Sequence, residues 1–258
     1  MIKQADGDNL IYHYLQKQII EKDDEFSREL TRRLIRDLSV WLPPELYLHV
    51  PVLLPYAVRD PTCRKGVNKK KEEWGSPDRK GFFRDDNSLI KSVPKGIPIK
   101  SSILKELDGH ILGNGFTAAH IWGETRDYRT YSFVPNIVWL PRQIAKLTDR
   151  KGSFAQKYLQ LISRKIYKRR ENSTEMWGIL KDPNINENID VKKLNYFAPD
   201  SRWIERRQNM LQCGIRNIKE TAEGRQAKGK LHCSRYLKGL KTMRKGYLTE
   251  LLRWIEKF

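Results

Sequence analysis

Residues 117–149 read TAAHIWGETRDYRTYSFVPNIVWLPRQIAKLTD, a stretch that sets His120 ahead of Asn136 and strings Arg126, Arg129 and Arg142 around them. An imidazole titrates close to neutral pH and can accept a proton there. Guanidinium groups grip a phosphate through paired N–H donors. Hydrolysis of a phosphodiester asks for a deprotonated water, balanced phosphate charge and help for the departing oxygen, and these side-chain types suit that work. They act only if the chain holds them. The sequence predicts a short strand over residues 117–122, approached through Gly109, Gly113 and Gly115. A turn-rich GETRDYRT leads to a second strand over 130–134, which Pro135 and Asn136 break. Pro141 suits the first turn of a short helix through Gln143, Ile144 and Leu147. The glycines form no phosphate loop, because no GK[ST] follows them.

Charge narrows the partner. The chain has 258 residues, with 50 Lys and Arg against 31 Asp and Glu, a formal net charge of +19. A field of that size draws polyanions, and nucleic acid is the first expectation. A membrane surface is the rival, yet neither end carries a lipidation signature, and no apolar run approaches the ~20 residues of a membrane span. The segment MIKQADGDNLIYHYLQ lacks the parts of a signal peptide, so an intracellular, cytoplasmic location is expected. Cys63, Cys213 and Cys233 are too dispersed to suggest a disulfide framework or a zinc knuckle.

From Asp8 to Trp41, apolar residues three and four apart predict one long amphipathic helix or two in succession, with Phe26, Leu30, Leu34 and Leu38 on its apolar face. Pro43 and Pro44 are expected to end it. Residues 46–58, LYLHVPVLLPYAV, read as a buried or edge strand, with His49 a packing histidine. Residues 60–102 read as a long loop that interleaves Lys69, Lys70, Lys71, Arg79, Lys80 and Arg84 with Trp74, Phe82 and Phe83. Cations there would neutralise phosphates while the rings stack or wedge. Asp78, Asp85 and Asp86 invite comparison with the PD-(D/E)XK nucleases, but no (D/E)-x-K follows at a strand-like position, and a turn carboxylate explains them equally.

The central residues resemble the HNH, or ββα-metal, nuclease superfamily. The likeness lies in AAHI at residues 118–121 and in PNIVWL at 135–140, which is similar to the family's N-x-x-x-L segment. It covers roughly residues 106–150. The resemblance implies a small ββα-metal core in which His120 is the general base. Asn136 would either support the loop that holds the histidine or ligate the metal, an oxygen-liganded Mg²⁺ or Mn²⁺. Ala119 stands where many members carry an acidic ligand, and Gln143 or Ala145 where others carry a final histidine. Asp149, Asp108 and Asp127, in that order, are the remaining ligand candidates, and Arg142 is the expected clamp on the scissile phosphate, with Arg126 and Arg129 also nearby.

Beyond the core, Ser153 suits an N-cap for a helix with Phe154, Tyr158, Leu161 and Ile162 on one face. Residues 171–199 read as a connector. Residues 201–258 return to helical periodicity, with Arg206 and Arg207 among many cations, and the leucine-bearing last helix could serve as a homodimer face. The expectation is an α+β protein in three parts: a helical lobe with a basic loop over 1–105, the nuclease core over 106–170, and a connector with a basic helical lobe over 171–258. Its expected function is Mg²⁺-dependent cleavage of double-stranded DNA by a restriction-type endonuclease. The alternative is a non-catalytic DNA- or RNA-binding protein with a degenerate nuclease core.

Overall fold

The computed structural model describes residues 7–20, 22, 24–53, 90–123, 128–167, 174–223 and 245–257. The fold is α+β, a mixed five-stranded sheet with helices around it. The strands are β1 (Val40–Trp41), β2 (Ile99–Lys100), β3 (Phe116–His120), β4 (Ile137–Pro141) and β5 (Asn195–Phe197). Their spatial order is β2-β5-β1-β4-β3, antiparallel except for the β1–β5 pair. Val138, Trp139 and Leu140 are wholly buried, because β4 is an interior strand covered on both faces.

Each of the three expected parts contributes to this one sheet: β1 and β2 come from 1–105, β3 and β4 from 106–170, and β5 from 171–258. At the level of the sheet the expected boundaries do not separate packing units. Asn195 shows the consequence at atomic scale. Wholly buried on β5, it donates to the carbonyls of Asp37 and Ser39 at 3.0 Å and accepts from the Ser101 hydroxyl at 2.6 Å.

The helices follow in chain order. Two in succession, α1 (Gly7–Leu15) and α2 (Glu25–Leu38), precede β1, with a π-helical turn, Gln16–Ile20, between them. The core-facing line of α2 is Ser27, Thr31 and Ile35, whereas Phe26 is exposed and Leu30, Leu34 and Leu38 are half-buried. The hydroxyls that displace the expected leucine stripe are satisfied locally, Ser27 by the Gln18 carbonyl and Thr31 by the Ser27 carbonyl. Pro44 opens a helix rather than closing one: α3 (Pro44–His49) starts there, where a missing N–H costs no bond. The strand expected from residue 46 is therefore a helix followed by an isolated bridge at Val52, and His49 is exposed rather than packed.

After β3 come a short helix, α4 (Tyr128–Tyr131), and a 3-10 turn (Val134–Asn136) where the second strand was expected. That strand starts instead at Ile137, so a short helix and a 3-10 turn stand between the two strands where only a loop was expected, and the helix after the second strand follows as expected. Next are α5 (Arg142–Thr148), α6 (Phe154–Tyr167) and α7 (Thr174–Ile179), then α8 (Ser201–Ala222) and α9 (Lys245–Ile255). Ser153 caps α6 through its hydroxyl, 3.2 Å from the Gln156 amide. Leu248, Leu251, Trp254 and Ile255 of α9 are buried within the chain, where α9 packs on α8 and α4. Much of the apolar side of the last helix is thus occupied internally.

A candidate active site on the β3–β4 hairpin

Strands β3 and β4 form an antiparallel hairpin in the register Phe116↔Pro141 to His120↔Ile137, and α5 follows directly and packs on both. His120 is the last residue of β3, the edge strand of the sheet, and pairs with Ile137 of β4. Its side chain is half-buried. Alternation along a strand sends Ala119 to the opposite face from His120. Ala119 is buried in the core at that point, so a methyl fills the place where the resemblance implies an acidic ligand.

The turn after His120 is held from several sides. The Ile121 amide donates to the Asn136 carbonyl at 2.9 Å, which extends the ladder by one bond. The Trp122 amide donates to Asn136 Oδ1 at 2.9 Å, and Asn136 Nδ2 donates to the Thr130 carbonyl at 3.0 Å. Asn136 is wholly buried, so its amide braces the two ends of the connection between β3 and β4. The oxygen that a metal-ligand role would need is enclosed and committed to Trp122. Gly123 then turns the chain with φ at +64°, a conformation that a Cβ disfavours.

A second layer stands behind this turn. Helix α6 places Gln156, Gln160, Ser163 and Arg164 in the interior, each at least nine-tenths buried. Gln160 Nε2 donates to the Ile121 carbonyl at 3.5 Å, and the Ser163 hydroxyl donates to the Pro135 carbonyl at 2.6 Å. Gln156 Oε1 accepts from the Gly152 amide at 2.8 Å, and its Nε2 faces Gly123. None of these polar residues was expected from the sequence. Their signal was present as Gln156, Gln160 and Ser163, spaced four and three apart along the helix.

The other expected site residues are dispersed. Arg142 is exposed at the start of α5, and its backbone amide donates to the Gly115 carbonyl at 2.8 Å. That is the Phe116↔Pro141 end of the hairpin, roughly 14 Å from the His120 end at about 3.4 Å per residue. The expected clamp is therefore at the wrong end of the strand pair. Asp108 accepts from the Ser101 amide at 2.9 Å, and its neighbour Gly109 bonds to Ile99 of β2, at the sheet edge opposite β3. It is not a ligand partner for His120. Asp149 closes α5 with its side chain still reaching solvent, and desolvation on its enclosed side raises its carboxyl above the usual range. Among the described residues, no three His, Cys, Asp or Glu side chains come together to hold an ion.

Of the expected nucleic-acid contacts, Arg206 is exposed on α8 and Arg129 is half-buried on α4. Arg207 is engaged within the chain: it donates to the Val93 carbonyl at 3.2 Å and lies over the Trp203 ring at 5.3 Å. A base-reading role would require it to leave those partners. Lys69, Lys70, Lys71, Arg79, Lys80, Arg84, Arg126 and Asp127 lie outside the described residues. Among the described residues no helix is long and apolar enough to cross a membrane. No protein-family model, curated protein or solved structure matches the chain.

Proposed function

We propose that this protein is a nuclease that hydrolyses phosphodiester bonds in double-stranded DNA, with His120 as the base that takes a proton from the attacking water. The observation that carries the reading is the brace around the histidine: Asn136 holds the turn after His120 by its side chain while its own carbonyl takes the Ile121 amide. Fixing the main chain next to a half-buried histidine at a strand end suits a group that must meet its substrate in one place. The large positive charge supports a polyanionic substrate. A restriction-type, sequence-specific enzyme is the form of nuclease proposed.

Mg²⁺ or Mn²⁺ remains part of the proposal through the family resemblance, and when bound would stabilise charge on the phosphate. Asp149 and, beyond the described residues, Asp127 are the oxygen donors that remain for it. The buried Ala119 favours a second reading, a DNA- or RNA-binding protein that has lost its chemistry. Plasmid cleavage with Mg²⁺ or with EDTA separates the two. Cleavage by the wild type is expected, with its loss in His120→Ala and DNA affinity held within about threefold, because the substitution removes a proton acceptor and little phosphate contact. Full activity of pure His120→Ala would overturn the assignment of the base.

A further inference from the structure

Helix α6 donates side-chain hydrogen bonds to main-chain carbonyls in five separate segments. Gln160 reaches Ile121, Ser163 reaches Pro135, Arg164 reaches Leu180, Lys165 reaches Glu187 at 2.6 Å, and Tyr167 reaches Leu42 at 2.7 Å. A buried carbonyl must find a donor, so each bond fixes the segment it ends on. The ends are not equivalent. Those of Gln160 and Ser163 fall directly beside His120 and Asn136, while the other three fall elsewhere in the fold.

We infer that Ser163 and Gln160 are positioning residues for His120, setting the height of its turn above α6 through the Pro135 and Ile121 carbonyls. This rests on the reading of His120 as the base. Asn136 ties the two ends of the connection to each other, but it ties them to nothing outside the hairpin. The Ser163 bond supplies the reference to α6, since it joins the residue before Asn136 to a 14-residue helix, beside the ties of the Trp122 indole to the Lys181 carbonyl and of the Val134 amide to the Pro51 carbonyl. Without it, the turn loses its tie to α6, moves relative to that helix and opens more often. A displacement of that kind reduces the rate of a proton transfer without weakening substrate binding.

Tyr167→Phe removes the same class of bond from the same helix and is the control. Ser163→Ala and Tyr167→Phe in the full chain are compared by DNA cleavage kinetics and by hydrogen exchange at the Trp122 amide. For Ser163→Ala we expect kcat to fall about tenfold with KM within about twofold, and Trp122 exchange to quicken beyond any change in global stability. Tyr167→Phe should lower the melting temperature while leaving kcat unchanged. Gln160→Leu, which deletes the donor at similar volume, should repeat the Ser163 pattern more weakly, and it replaces Ser163→Ala if that variant does not fold. Equal kcat and equal Trp122 exchange in the Ser163 and Tyr167 variants would overturn the inference. If the wild type cleaves no DNA, the base assignment fails on its own, and the Trp122 exchange comparison still decides whether α6 holds this turn.

Discussion

Asn136 has both ends of its amide committed to main chain inside the protein, which favours the brace among the two roles proposed for it. As a brace, its loss leaves the buried Trp122 N–H without its acceptor, while the Thr130 carbonyl keeps the Phe133 amide. Asn136→Ala should therefore cost about 3 kcal/mol of stability, read from denaturant unfolding, and should lower cleavage. Mn²⁺ should not restore that activity; restoration would return the residue to a ligand role. The place of His120 at a strand end was legible in the sequence, because a histidine closing a short apolar run is a local pattern, whereas Asn136 was expected after the second strand and stands before it. The choice between brace and ligand was not legible, since it depends on Thr130 and Trp122 being within reach of one amide. Arg142 shows the opposite case: it is near His120 in sequence, but the hairpin register separates them.

At the scale of elements, propensity and pattern suffice for the helices on either side of the sheet but mislead where proline and alternation apply. Pro44 reads as a stop, yet its fixed φ makes it a start, and TYSFV at 130–134 alternates like a strand while adjoining turns capture it. On α6 the polar residues that matter are interior, and a helical Gln or Ser reads from sequence as solvent-facing. The N-terminus of α2 offers a pH test of local order. Asp24 caps it, accepting from the Ser27 amide at 2.7 Å and the Ser27 hydroxyl at 2.6 Å, and these bonds hold its carboxyl below the usual range. Its folded pKa is lower than its unfolded value near 3.8, so the cap is fully effective above that value and is lost as pH falls through the folded one. Melting curves between pH ~2 and ~6 should show this dependence in the wild type and a shallower one in Asp24→Asn, which keeps a capping side chain without the titration.

For the whole molecule, the net charge of +19 was readable at once, and it bears on binding rather than on fold. If Lys69, Lys70 and Lys71 neutralise phosphates, replacing all three with alanine should weaken specific and random duplexes alike. It should also reduce the slope of log K against log salt by about one unit for each phosphate no longer neutralised. An unchanged slope would leave the exposed cations of α8, Arg206 among them, as the remaining grip. The sheet was the least legible feature, because two-residue strands such as β1 and β2 carry almost no local signal and are recruited by their neighbours. Its topology also bears on synthesis. Val40 and Trp41 leave the ribosome long before the strand that covers one side of them, which begins at Asn195. Until then a completed hairpin bearing His120 can dock on one side of β1 while the other side stays open. The growing chain therefore carries an unpaired, tryptophan-bearing sheet edge until residue 195 and its neighbours are made, and a break in synthesis before that point would leave a fragment that presents this edge to other chains.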